Sequence, residues 1–534
     1  MERRLSGLAA STGLAFGPAV TFRALGEMRR AKGTVAGEKQ ALADAVLASL
    51  EAVTALAGSL EGEAADIVGF QAALLEDDAL TDGAYTAIEG GAAADIAWRQ
   101  AMAEEIAGYE ASEDAYFRAR AVDLTDIRDR VLRQLFDLPE PTTVPPGAVI
   151  LALDLPPSAF LGIDWSRGGG IVLGAGSPTS HVAMLARGRS VPMVVGIGSE
   201  WEAISGTVVV DGVAGLVLTG PSHESIERAR RRAGELGRLH EQAELRKSQP
   251  ASTGDGTRIA VMVNVASLAD VAGLGPETCD GIGLTRTEFL VELALRDEAT
   301  QFEAYAGLLR WAAGRPVTIR TLDAGGDKPI AGYTLAGETN PFLGLRGIRL
   351  SLRHPDVFRV QLRALARAAA IGPLKVMLPM VTTAQELEQA RVLLDAVLTE
   401  LAAEGLPHAK PAIGIMVEVP AAAMAVASFD AAFFSIGSND LTQYATAAAR
   451  DGPGVAAYAD VLHPGVLAMI SHVARHGAAI GREVSLCGDA GGDPRAIPAL
   501  LRAGIRTVSV SPGLLAVAKE AIRNVDLSLP DEGA

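Results

Sequence analysis

Cysteine is nearly absent from this chain. Only Cys279 and Cys487 occur in 534 residues, too few for a disulfide scaffold. Aromatic side chains make up 4%, so the cores must be packed from Ala, Leu, Val and Ile. Basic charge is outweighed, with 47 Lys+Arg against 64 Asp+Glu and a net charge of −17. That balance argues against a nucleic acid or an anionic membrane as the main ligand. No uninterrupted apolar run reaches spanning length, and Met1-Glu2-Arg3-Arg4 is not followed by the apolar segment of a signal peptide. These absences predict a cytoplasmic protein in a reducing compartment, without membrane insertion. What is abundant is ordinary: 49% hydrophobic residues, 21% charged and 58 glycines, the composition of a globular protein long enough for several domains.

The pattern changes along the chain. Residues 5–22 read as short strands broken by glycines. From about Val35, Leu42, Val46, Leu50, Val53 and Leu60 recur at helical spacing. Helical signals continue to Phe136, and Pro139, Pro141, Pro145 and Pro146 stop them. This is an inserted helical subdomain, over residues 26–144. Strands return over 147–218, so that residues 1–25 and 145–221 form one α/β unit. Residues 222–250 are a charged linker helix and joint. In the helix Glu224 and Arg228, and Glu227 and Arg231, stand four apart in the favourable order. The Arg228–Arg232 cluster is then a solvated helix face.

Within the α/β unit, Gly176-Ser177-Pro178-Thr179-Ser180-His181 is a small-residue turn that ends in a histidine. An apolar, helix-compatible run follows to Arg187. Glycine lets the backbone approach an incoming group, the hydroxyls can donate to phosphate oxygens, and the first turn of a helix favours anions. A phosphoryl-accepting histidine needs this arrangement. A lone histidine after a turn is nevertheless more often a cap or a satisfied polar residue.

Over 251–534, eight apolar β-rich segments alternate with helical stretches: Ile259–Val265, Gly281–Leu284, Val317–Leu322, Val376–Met380, Ile413–Val417, Phe433–Ile436, Val484–Leu486 and Thr507–Val510. That count predicts a (β/α)8 TIM barrel, with its active site at the C-terminal strand ends. Those ends carry Arg286, Arg320 with Asp323, Glu418, Asn439 with Asp440, and Cys487 with Asp489, and an insertion carries Arg346. Taken singly, each has a structural reading: an arginine pairs with a carboxylate, Glu418 caps a helix, Cys487 is a small buried apolar residue. Together they suit a phosphorylated carboxylic acid bound through a divalent metal. Arginine forks match carboxylate and phosphate, two carboxylates suit Mg2+, and a thiol near the enolate carbon could supply a proton.

The motifs Gly7-Leu8-Ala9-Ala10-Ser11, Gly283-Leu284-Thr285-Arg286-Thr287-Glu288-Phe289, Arg320-Thr321-Leu322-Asp323 with Gly325-Gly326-Asp327-Lys328, Ile415-Met416-Val417-Glu418-Val419-Pro420 and Ser435-Ile436-Gly437-Ser438-Asn439-Asp440-Leu441-Thr442-Gln443-Tyr444 carry a resemblance over essentially the whole length. The chain resembles the phosphoenolpyruvate-protein phosphotransferases, Enzyme I of the bacterial sugar phosphotransferase system. The resemblance implies a swivelling phosphohistidine domain with His181 as the phosphorylated residue through Nε2. It implies that Arg286, Arg320, Arg346, Asn439, Asp440 and Arg450 hold phosphoenolpyruvate, that Glu418 and Asp440 bind Mg2+, and that Cys487 protonates the enolate. It also implies that the helical insertion docks the phosphocarrier protein HPr, in the first step of sugar uptake, and that the barrel forms a homodimer.

Three positions depart from the family pattern. Ser177-Pro178 precedes Thr179, Asp489 stands where glutamate is usual, and Gln71 stands where histidine is common; Arg120…Asp123…Asp126 is kept. Two other readings share part of this pattern. A pyruvate phosphate dikinase or phosphoenolpyruvate synthase would need an ATP-grasp domain, for which the N-terminal 140 residues are too short and too helical. A non-catalytic regulatory relay would be favoured by a missing catalytic residue, and none is missing.

Overall fold

The computed structural model describes residues 2–22, 28–58, 63–110, 115–138, 144–176, 180–288, 290, 294–326, 330, 332–335, 338–449, 455 and 458–529. The chain divides into two compact units, Met1–Arg238 and Leu239–Ala534.

In the first unit, short apolar runs between glycines give β1 (Arg3–Ser6), β2 (Leu8–Ser11) and β3 (Leu14–Thr21). Five helices follow: α1 (Val35–Gly58), α2 (Glu63–Glu76), α3 (Asp78–Glu89), α4 (Ala94–Glu110) and α5 (Ala115–Leu135). The chain then runs through β4 (Val149–Ala152), α6 (Pro157–Gly162), β5 (Gly170–Leu173), α7 (His181–Gly188), β6 (Met193–Val195), β7 (Thr207–Asp211) and β8 (Leu216–Thr219). One sheet results, in the order β1-β8-β7-β3-β4-β5-β6-β2. Strands β3 and β4 are parallel neighbours, with Ala19 opposite Val149, so α1 to α5 are an insertion between adjacent strands.

The insertion packs Leu42 and Val53 of α1 with Trp98, Leu124 and Val131 in one core. Val46 and Leu50 are half-buried at its margin, and Leu60 lies outside the described residues. The Glu38 carboxylate is buried and accepts from the backbone N–H of Gly33 at 2.6 Å and of Ala94 at 2.7 Å. It thereby fastens the start of α1 to the first turn of α4, where unpaired N–H groups favour an anion. By length and composition α1 could cross a membrane, a feature that a search for uninterrupted runs misses because Glu38, Lys39, Asp44 and Glu51 punctuate it. Its apolar face lies in the core of the insertion.

Helix α8 (His223–Leu245) follows β8. Glu224 pairs with Arg228 at 3.5 Å, but Glu227 takes Arg230 at 2.8 Å, not the expected Arg231. Residues three apart share a helix face as well as residues four apart.

In the second unit, β9 (Ala251–Ser252) leads antiparallel into β10 (Arg258–Val265). Then come β11 (Ile282–Thr285), β12 (Val317–Arg320), β13 (Leu374–Leu378), β14 (Ala412–Val417), β15 (Phe434–Gly437), β16 (Val484–Cys487) and β17 (Thr507–Val510). Strands β10 to β17 are all parallel, and β10 pairs with both β11 and β17. The barrel is therefore closed, and each strand falls on one of the eight expected segments. Alternate residues such as Val261, Val263, Val317, Ile319 and Ile415 pack outward against the helices. Leu284, Met377, Met416, Phe433 and Cys487 form a separate small apolar cluster.

Candidate active site

Barrel geometry gathers residues far apart in sequence at the C-terminal strand ends. Arg320 ends β12, is 5% exposed, and is held by Glu288 at 2.5 Å and Asp323 at 3.1 Å. Its Nε–H is buried and has no partner among the described residues. Such an N–H costs free energy until something accepts from it, which marks a place for a ligand oxygen.

Arg346 is 1% exposed. Its Nε and Nη2 donate to the two oxygens of Asp323 at 3.0 Å each, and Nη1 and Nη2 donate to the two oxygens of Asp440 at 3.2 Å each. The second Nη1 hydrogen goes to the Tyr444 hydroxyl at 3.3 Å. A guanidinium has five N–H groups, so none is left over for a phosphate in this arrangement. Tyr444 in turn donates to the Phe342 carbonyl at 2.6 Å, tying the insertion to the helix after β15. Burial pushes its hydroxyl up to about 12.

Glu418, just past β14, is 1% exposed and accepts from the Met380 N–H at 2.7 Å. Met380 lies in the left-handed region, at φ 57°, a conformation uncommon outside glycine. Gly437 makes room for the same carboxylate: a Cβ there would come within 2.8 Å of Glu418 Oε2. Burial pushes Glu418 up to about 8; Asp440 and Asp323 add to the rise, and Arg320 and Arg346 oppose it.

Four buried carboxylates, of Glu288, Asp323, Glu418 and Asp440, thus face two buried guanidinium groups, of Arg320 and Arg346. Formal positive charge is short within this group, and Glu418 and Asp440 are the carboxylates that could hold a cation. No group of three or more His, Cys, Asp or Glu side chains among the described residues could hold a metal. Mg2+, which takes one or two carboxylates and completes its shell with substrate oxygens and water, is compatible with such a set.

Asn439 and Asp489 clasp one another. The Asn439 amide donates to Asp489 Oδ2 at 3.2 Å, and the Asp489 N–H donates to Asn439 Oδ1 at 3.1 Å. Gly488, at φ 123°, allows this turn, since a Cβ there would come within 2.4 Å of Ser438 Oγ. Cys487 ends β16, buried, and Arg286 lies just past β11 with its side chain exposed. Burial pushes the Cys487 thiol up to about 11, so it keeps its proton at neutral pH. Arg450, Phe289, Asp327 and Lys328 lie outside the described residues.

In the first unit, His181 begins α7, and the Ser180 hydroxyl caps that helix by accepting from the Ala183 N–H at 3.3 Å. The Ser180 O–H remains able to donate. The His181 side chain and Ser177-Pro178-Thr179 lie outside the described residues. In the insertion, Gln71 is buried and its amide donates to Asp123 at 3.3 Å and Asp126 at 3.0 Å, so the departure at 71 still meets the two retained aspartates. The Arg120 side chain lies outside the described residues.

Sequence reasoning missed Met380, Gly437 and the role of Tyr444. The first two act through backbone geometry, which leaves no side-chain chemistry to read. Tyr444 had a signal, four residues after Asp440 and so on the same helix face.

Three family models match the chain: PEP-utilising enzyme, N-terminal, over residues 6–120; PEP-utilising enzyme, mobile domain, over 144–215; and PEP-utilising enzyme, PEP-binding domain, over 240–527. A phosphoenolpyruvate-protein phosphotransferase of Geobacillus stearothermophilus is 35% identical over 98% of this chain and 93% of its own length. One of Haloferax volcanii is 40% identical over 85% of this chain and 80% of its own. A multiphosphoryl transfer protein of Rhodobacter capsulatus is 38% identical over 84% of this chain, which spans 55% of that longer protein.

Proposed function

The chain belongs to the PEP-utilising enzymes and, among them, to the phosphoenolpyruvate-protein phosphotransferases, and we propose that it moves the phosphoryl group of phosphoenolpyruvate to His181 and then to the carrier HPr. The carrying observation is the buried charge cluster at the barrel mouth. It sets the unpartnered Nε–H of Arg320 in one electrostatically coupled group with Glu418, which no arginine among the described residues grips directly, and Asp440. A phosphorylated carboxylate with a divalent cation satisfies both.

In this reading Arg286, Arg320, Asn439 and Arg450 hold the substrate's carboxylate and phosphate, and Glu418 and Asp440 hold Mg2+. When bound, the cation takes up negative charge on the leaving enolate. Arg346 fixes Asp323 and Asp440, and a direct phosphate contact requires it to give up one of its present bonds. His181 Nε2 attacks phosphorus as the bond to the enolate oxygen breaks, a transfer governed by positioning and charge stabilisation. The Cys487 thiol then gives its proton to the enolate carbon, and pyruvate leaves. The phosphohistidine domain is assigned to residues 1–25 and 145–221, and the carrier-docking insertion to 26–144. Carrier identity, delivery to sugar uptake and a homodimer through the barrel rest on the resemblance.

The test is incubation of the whole protein with radiolabelled phosphoenolpyruvate and Mg2+, beside His181→Ala. Acid-labile, base-stable label on the wild type alone is expected. Label on neither protein would overturn the reading and favour the non-catalytic relay.

A further inference from the structure

A line of small polar groups runs inside the barrel, up to Cys487. Ser435 of β15 and Ser485 of β16 are register partners, and Cys487, two residues past Ser485, faces the same side of its strand. Ser485 Oγ donates to Ser435 Oγ at 3.0 Å, Ser435 Oγ donates to Cys487 Sγ at 3.3 Å, and Cys487 Sγ donates to the Ile436 carbonyl at 3.6 Å. Every donor therefore points the same way along the line, and all three side chains are buried.

The sulfur packs with Leu284, Met377, Met416 and Phe433. Such walls cannot solvate a thiolate, and burial holds the thiol high; Glu418 also opposes ionisation, whereas the Ser435 hydroxyl, Arg320 and Arg286 favour it. A hydrogen bond to an ionised acceptor is roughly twice as strong as one to a neutral acceptor. The Ser435 hydroxyl therefore stabilises the sulfur more after the proton has left than before. A group that acts more strongly on the later state accelerates the step. Ser485, by donating to Ser435 Oγ, polarises that hydroxyl further.

We infer that Ser435, backed by Ser485, is a positioning residue for phosphoenolpyruvate turnover, holding the Cys487 sulfur and bearing part of the charge left there when its proton reaches the enolate carbon. The S–H bond breaks as a C–H bond forms at the enolate methylene. The enolate oxygen becomes the keto oxygen of pyruvate, and the negative charge moves from that oxygen to sulfur. The inference rests on the reading of Cys487 as the proton donor.

The test uses the full chain in a Cys279→Ser background, so that Cys487 carries the remaining S–H group. The Raman S–H stretching band and steady-state kinetics are measured for Ser435→Ala, Ser485→Ala and Ser435→Thr. In Ser435→Ala the band should shift, and kcat should fall about tenfold with KM for phosphoenolpyruvate unchanged within about twofold, the size of one hydrogen bond to a charged group. Ser485→Ala should move both in the same direction by less, and serves alone if Ser435→Ala does not fold. Ser435→Thr, which keeps the hydroxyl, should restore most of both. A band unmoved in both alanine variants overturns the inference. Undiminished turnover in Cys487→Ala overturns the proton-donor reading beneath it, and the two failures are distinct because one is read from the sulfur and the other from turnover.

Discussion

Asp440 offers both carboxylate oxygens to Arg346, at 3.2 Å each, while the same guanidinium grips both oxygens of Asp323 at 3.0 Å. One cation thus fixes two carboxylates that come from different parts of the barrel mouth. A lysine has one nitrogen with three donors and no fork, so it cannot meet both oxygens of both carboxylates.

Arg346→Gln should therefore destabilise the protein by about 3–5 kcal/mol, the usual penalty for leaving buried charges without their partner. It should also lower kcat/KM for phosphoenolpyruvate by about 100-fold or more. Denaturant unfolding and steady-state phosphotransfer measure the two effects. A variant of wild-type stability would mean that Asp323 and Asp440 do not depend on this clamp.

Gly437→Ala adds one methyl group within 2.8 Å of Glu418 Oε2. The backbone there, at φ −82°, accepts alanine without strain, so the effect falls on the Glu418 side chain and on Met416 Cγ, 3.1 Å from the added methyl. Half-saturating Mg2+ should rise roughly 10–100-fold, as for other changes that disturb a ligand's support, and the crowding should cost about 1–3 kcal/mol of stability. Titration of activity with Mg2+ decides it.

Asp489→Ala removes the acceptor that orients the Asn439 amide. Because both groups lie at the surface of the mouth, stability should change by less than about 0.5 kcal/mol. KM for phosphoenolpyruvate should rise about tenfold, since a hydrogen bond to a charged group contributes roughly 1.5–3 kcal/mol. Asp489→Glu should stay closer to wild type than Asp489→Ala, and equal KM values in all three proteins would count against the clasp.

The pH dependence follows from Glu418. Its folded-state position, pushed up to about 8 by burial and then by Asp440 and Asp323, lies above that of an unfolded glutamate. Between the two the folded protein binds more protons than the unfolded one, so metal-free stability falls as pH rises toward 8 and levels off above it. In chelator the melting temperature should therefore drop by a few degrees from pH 6 to pH 9. Glu418→Gln should flatten that slope, and Mg2+ should restore the wild type at pH 9 by binding the ionised carboxylate. Calorimetric scans of both proteins across this range provide the check.

The barrel was legible in sequence because buried parallel strands read as short apolar runs, and eight of them alternated with helical stretches. The inserted helices were legible for a similar reason: Leu42 and Val53 keep helical spacing, and a proline cluster ends the region. The types of residue at the barrel mouth could also be read off, since strand ends are where such a fold puts chemistry. What sequence could not supply was which partner each group takes. Glu227 had two arginines within reach and took Arg230. Arg346 carried the expectation of a phosphate contact, yet its donors meet Asp323, Asp440 and Tyr444.

Periodicity is local, so the sequence by itself determined the two architectures and the set of chemical groups assembled in them. Hydrogen-bond choice depends on distances between strands that are remote along the chain. For that reason only the tertiary structure decided that Met380 would turn its N–H toward Glu418, that Asn439 would clasp Asp489, and that a serine on one strand would face the thiol of the next.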